Sequence, residues 1–146
     1  MTTKSNNILI GGALIYKESR GKRFYWLVND KEGRWEIPKV TVRRGESSPR
    51  AVIRMAGEQA GMNARILEEA GRGSGVVVVN GKTLIQKTYY YLMVLKSAGE
   101  VLGFAKYQWL DYKKAFKALY LKKEKDALRS AEEMLKQWER EKKKIR

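Results

Sequence analysis

The chain has 146 residues and a formal charge of +15, enough length for one domain with a real core and a field that attracts polyanions such as RNA, DNA or nucleotides. It contains neither cysteine nor histidine, which excludes disulfides, thiolate zinc sites, a cysteine nucleophile and the commonest general base. No apolar run approaches the ~20 residues of a membrane-spanning helix, and "MTTKSNNILIGG" lacks the core of a signal peptide, so a soluble cytoplasmic protein with no membrane partner is expected.

In chain order, "NNILIGGALIY" is apolar and β-branched and predicts a buried strand. "ESRGK" is a loop, "RFYWLVN" a second strand, and "DKEG" turns it into "RWEIP", which Pro38 ends. Residues 39–47 predict a polar, basic loop. Ser48 before Pro49 predicts a capped helix over 49–60, stopped by a left-handed Gly61. "NARILEEAG" is a strand, "GVVVV-NG-KTLIQ" a hairpin on a type I′ Asn80-Gly81 turn, "KTYYYLMVLK" a central strand and "KYQWL" a short one. Two helices follow. In the second, Ala127, Leu128, Ala131, Met134, Leu135 and Trp138 recur at helical spacing. The tail over 139–146 has no apolar stripe and is expected to fray. The pattern reads as one domain over 1–146, a sandwich of helices around a mixed sheet.

The stretch "WEIPKVTVRRGESSPRAVIRMAGEQAGM" carries the chemistry. Lys39, Arg43, Arg44, Arg50 and Arg54 cluster around a loop and a helix start, where unpaired N–H groups also favour an anion. Cleaving a pyrophosphate bond requires hard cations held by carboxylates. Helical positions 55, 58 and 59 are expected to share a face, and they present Met55, Glu58 and Gln59. Met55 cannot hold Mg²⁺ and Gln59 brings no charge. Glu46 has two readings, a metal ligand or an ion-pair partner of Arg54. Tyr16 and Tyr107 are candidates for stacking on a base.

The segment resembles the Nudix box, G-x5-E-x7-R-E-U-x-E-E-x-G-U. Glu46, Arg54, Glu58, Gly61 and Met62 fit; Val40, Met55 and Gln59 replace the glycine and two of the glutamates, and Ala56 is smaller than the pattern prefers. "WEIPKVTVRRGES" is similar to the entry segment of the dinucleoside tetraphosphate (Ap4A) hydrolases, and "YQWLDYKKAFKALYLKKEKDALRSAEEML" to their C-terminal strand and helix pair. The resemblance implies an α/β fold, the Nudix α/β/α sandwich with a mixed sheet.

It also implies roles. Lys39 and Arg54 sit beside phosphates, with Arg43 and Arg44 in the same patch. Arg54 orients a box glutamate, and Glu58 is the surviving metal ligand and, with Glu46, the catalytic remnant. Tyr107 matches an aromatic near the base pocket. "VLGFAK", before the last strand, lacks the acidic or histidine side chain usual there. Glu68 and Glu69 are close in sequence, but the following strand is expected to carry them away. The leading expectation is a Nudix-fold protein that binds a nucleotide polyphosphate or RNA phosphate, with weak or absent hydrolysis and weak or absent Mg²⁺. The alternatives are an active Mg²⁺-dependent Ap4A-like pyrophosphohydrolase, and a structural RNA- or ribosome-associated subunit whose basic C-terminal helix docks on a protein partner.

Overall fold

A computed structural model describes residues 7–145. Ten elements follow in order: β1 (Asn7–Ser19), β2 (Lys22–Asn29), β3 (Trp35–Glu36), β4 (Lys39–Thr41), α1 (Ser48–Glu58), β5 (Met62–Val79), β6 (Lys82–Ala98), β7 (Tyr107–Asp111), α2 (Tyr112–Ala118) and α3 (Lys122–Ile145). The sheet order is β3-β2-β1-β6-β5, with β4 added to β1 and β7 to β2. β1 runs parallel to β6, and the other pairings are antiparallel, so the sheet is mixed.

β1 is buried on both faces, which explains its unbroken apolar run. Leu14 and Tyr16 point to one layer, with Tyr25, Leu27, Tyr90, Leu92 and the α3 residues Ala127, Leu128, Ala131 and Leu135. Ala13 and Ile15 point to the other, with Trp26, Tyr91, Met93 and the α1 residues Val52, Met55 and Ala56. Helices therefore cover both faces, an α/β/α sandwich. Tyr16 is nearly buried in the α3 layer, which removes it as a base-stacking candidate.

Several boundaries differ from the sequence reading. "NARILEEAG" and "GVVVV" form one strand, β5, whose register against β6 shifts at three places between Asn63 and Gly71. These irregularities let one long strand bend where two were expected. Asn80 (φ 52°) and Gly81 (φ 77°) are both left-handed, as a type I′ turn requires. The expected 39–47 loop begins as β4, because Lys39, Val40 and Thr41 pair with β1. The cap of α1 is Ser47, whose side chain accepts from the Arg50 N–H; the Ser48 hydroxyl instead bonds the Tyr91 hydroxyl at 2.6 Å.

Two buried carboxylates fasten α3. Glu124 is fully buried and accepts from the Ile37 N–H at 2.8 Å, Lys39 Nζ at 2.6 Å and the Tyr90 hydroxyl at 2.9 Å. Glu132 accepts from the Tyr25 hydroxyl at 2.5 Å and from Nε and Nη2 of Arg23. Gly71 permits close contact between α3 and β5: a Cβ there would lie 3.2 Å from Ala127 Cβ. The helix runs to Ile145; Arg146, the last residue of the 139–146 tail, lies outside the described residues. Arg23 bonds Glu139 at 2.6 Å, and Gln137 bonds both Arg140 and Glu141.

Candidate phosphate-binding site

The basic loop turns back on itself before α1. Glu46 N–H donates to the Arg43 carbonyl at 3.0 Å, and Gly45 holds φ +78°, a left-handed position that suits glycine in such a turn. The Glu46 carboxylate accepts from the Arg43 N–H at 3.0 Å. Arg54, one turn and a half into α1, then takes both Glu46 oxygens, Nε to Oε2 at 2.8 Å and Nη2 to Oε1 at 2.9 Å. This is a bidentate fork. Nη2 also donates to the Thr41 carbonyl at 3.2 Å. The Arg54 hydrogen bonds, followed by the Arg43 N–H, hold the Glu46 carboxyl down at about 2.

Arg43, Arg44, Glu46, Arg50, Ile53, Arg54 and Glu58 surround an open depression of about 790 Å³. Arg43, Arg44 and Arg50 are exposed. Among the described residues, none of the three forms an ion pair with a carboxylate. Three arginines without a carboxylate partner therefore line one hollow, while Arg54 is committed to the loop. Planar N–H forks of this kind match phosphate oxygens.

The helical face differs from the one expected. Each residue advances about 100° around a helix, so positions 58 and 59 lie on opposite sides of 55. Met55 is 1% exposed and packs with Val52, Ala56 and Trp26, and Glu58 lies on the open side, facing the depression with Arg54. Residues 99–104 close over the end of α1: the N–H groups of Leu102 and Gly103 donate to the Gln59 carbonyl at 3.0 and 2.8 Å. Phe104 from this loop meets Trp26 edge-on at 5.5 Å.

Lys39 is placed apart from the arginines. Its ammonium donates to Glu124, to Glu36 at 3.0 Å and to the Ile37 carbonyl at 3.1 Å, which uses all three of its protons. Burial lowers its pKa, but the charge and hydrogen bond of Glu124, then those of Glu36, outweigh that and raise it. Lys39 thus braces β4 against α3. Tyr107 on β7 is 45% exposed, and its ring lies 5.6 Å from that of Trp26. It edges an aromatic group with Phe104 and Trp109, in which the buried Trp26 indole N–H has no partner among the described residues. Glu69 pairs with Arg72 on β5.

The donors do not fit a divalent cation. Mg²⁺ takes several hard oxygen ligands. Both Glu46 oxygens are held by Arg54, Met55 is in the core, and Glu58 is the one carboxylate left at the depression. No three acidic residues come together to hold a metal among the described residues.

This arrangement of sheet and helices recurs in known structures. The C. elegans Ap4A hydrolase in a binary complex superposes with a TM-score of 0.71 over 88% of this chain and 97% of its own, at 22% identity. The Nudix domain of Shewanella oneidensis NrtR, complexed with ADP ribose, gives 0.67 over 91% and 90%, at 16% identity. The chain has the Nudix fold. The E. coli dihydroneopterin triphosphate pyrophosphohydrolase matches this Nudix fold at 0.65 over 82% and 91%, at 12% identity. No family model matches the sequence, and no curated protein matches it.

Two residues that matter here escaped the sequence reading, Glu124 and Glu132. Their signal was present: both lie on the same helical face as Leu128, acidic residues on an apolar stripe.

Proposed function

We propose that this Nudix-fold chain binds the phosphate groups of a nucleotide polyphosphate or of RNA at the 43–54 face, with weak or absent pyrophosphohydrolase activity. The observation that carries this reading is the imbalance of the depression. Three exposed arginines converge there without ion-pair partners, and a single carboxylate, Glu58, is free of an arginine. Such a surface attracts phosphate strongly and holds a catalytic cation poorly. Any Mg²⁺ is held weakly, through Glu58 and the phosphates themselves. Tyr107 and its aromatic neighbours offer a ring for a base. The solved relatives named above, one an Ap4A hydrolase and one bound to ADP ribose, support a nucleotide derivative as the ligand class. No helix among the described residues is long and apolar enough to cross a membrane.

A second reading has its own observation. The outer face of α3 leaves Trp138 exposed beside Met134 in a shallow hollow, a place for a protein partner.

The deciding experiment pairs binding with turnover. Affinity for single-stranded RNA and for a non-hydrolysable nucleotide polyphosphate is measured at two salt concentrations, beside hydrolysis of diadenosine polyphosphates and nucleoside triphosphates with Mg²⁺ or Mn²⁺. The reading requires salt-sensitive binding, with a log–log slope of about −0.7 per RNA phosphate contact, and turnover well below the ordinary ~1–10³ s⁻¹. Fast turnover returns the chain to the active pyrophosphohydrolases.

A further inference from the structure

β5 ends the sheet, and beyond Gly73 its outer edge carries an uncharged, proline-free run, "GVVVV". Edges of this kind are normally blunted by charge, proline or a covering element, because their free N–H and C=O groups template another strand.

Which groups are free follows from the turn. In a two-residue hairpin the flanking residues, here Val79 and Lys82, exchange ladder hydrogen bonds, and the pairs alternate from there. Ser74, Val76 and Val78 therefore turn their N–H and C=O groups outward. Lys123 Nζ supports this assignment, since it reaches around the edge to the Ser74 carbonyl. The same residues expose their side chains: Val76 is 68% and Val78 69% exposed. Ile85, paired with Val76, lies on the same face and is also exposed. Backbone and side chain are thus open at the same two valines.

Charge decides what fits. At one end of the open edge is a hollow of about 460 Å³ lined by Arg72, Gly73, Ser74, Lys87, Tyr89 and Lys123. Arg72 is paired to Glu69 and stacked 4.9 Å from the Tyr89 ring, while Lys87 and Lys123 form no ion pair among the described residues. A second copy would add its own +15 and set like charges together. A strand with acidic ends meets the hollow favourably.

We propose that the 74–79 edge of β5 is a docking site for an extended peptide with alternating apolar side chains and acidic flanks. It adds to the sheet as a further strand beside β5. Its backbone pairs with Val76 and Val78, its apolar side chains cover those valines and Ile85, and its carboxylates enter the hollow toward Lys87 and Lys123. Strand addition takes affinity from main-chain hydrogen bonds and specificity from alternate side chains.

The test uses the full chain and a short peptide with a Val-Thr-Val-Thr-Val centre flanked by glutamates. Its lysine-flanked counterpart and a poly-uridine RNA serve as comparisons. Amide exchange is followed by NMR. The acidic peptide should slow exchange at Val76 and Val78 and bind at least about tenfold tighter than the lysine-flanked one. Val76→Pro removes an outward N–H without touching the ladder to β6, and should abolish this binding. Val78→Glu, which keeps the strand and sets a negative charge against the acidic peptide, should lower terminal-strand protection and weaken binding by about tenfold or more. Four results overturn the proposal: no protection with the acidic peptide, equal binding by both variants, protection by RNA alone, or valines already protected in a dimer of the free protein.

Discussion

Arg54 holds Glu46 with two parallel hydrogen bonds of 2.8 and 2.9 Å, across eight residues of sequence. The contact folds the basic loop onto α1 and so decides where Arg43, Arg44 and Arg50 point. It also occupies both oxygens of a carboxylate that the sequence leaves open as a metal ligand. The ion pair positions the loop, and under the proposed function its neighbours Arg43, Arg44 and Arg50 are the cations that meet phosphate.

That pair has a pH signature. The Glu46 carboxyl is pulled from 4.5 to about 2. A lowered carboxylate contributes stability that is fully present above its unfolded value and is lost as pH falls through its folded one. The melting-temperature gap between wild type and Glu46→Gln should therefore be constant above about pH 5 and close between 4.5 and about 2. Thermal unfolding across that range checks it, and a gap that widens on acidification contradicts it.

Arg43→Ala and Arg50→Ala should each weaken binding of a nucleotide polyphosphate by about one to two decades, the loss of a charge-assisted bond. Both are exposed and unpaired, so melting temperatures should scarcely move. Arg54→Ala should lower affinity too, but with a loosened 43–46 turn visible as faster amide exchange at Arg43 and Glu46. Calorimetric titration of the three variants separates contact from positioning; equal affinity in all of them places the ligand elsewhere.

Glu124 is the acceptor for a backbone N–H, a tyrosine hydroxyl and the Lys39 ammonium. Glu124→Ala strands all three, and breaking a buried pair on one side typically costs about 3–5 kcal/mol. Denaturant unfolding should show that loss, whereas Glu36→Ala, removing the more exposed partner of Lys39, should cost far less. Comparable losses would mean that Glu124 is not the centre of the cluster.

Met55→Glu appears at first sight to restore a box glutamate. In this fold the side chain enters the layer of Val52, Ala56 and Trp26, so a charge there is expected to destabilise by several kcal/mol, about 3–5, without raising turnover. A folded, unchanged melting curve for this variant in Mg²⁺ would show that position 55 opens to the site after all.

The limits of sequence reading are visible in these residues. The Asn80-Gly81 turn was legible because only left-handed residues close a two-residue hairpin, and the α3 stripe because its period is local. The pairing of Glu46 with Arg54 was one of two readings, and the geometry selects it. The contact of Lys39 with Glu124 is not legible in the sequence, because the two lie 85 residues apart and a lysine after a strand carries no mark of a distant carboxylate. Positions 55, 58 and 59 were grouped by spacing alone. The edge of the buried arc, set by the sheet beneath α1, runs between 55 and 58 and is a tertiary fact.

The central claim, phosphate held on the arginine face without efficient cleavage, is tested most directly by phosphorus NMR of diadenosine tetraphosphate mixed with stoichiometric wild-type protein and Mg²⁺. The account predicts that the phosphate resonances shift or broaden, that Arg50→Ala reverses the change, and that no product resonances grow at enzymatic rates. Rapid appearance of cleaved mononucleotides, or resonances untouched by the protein, would contradict it.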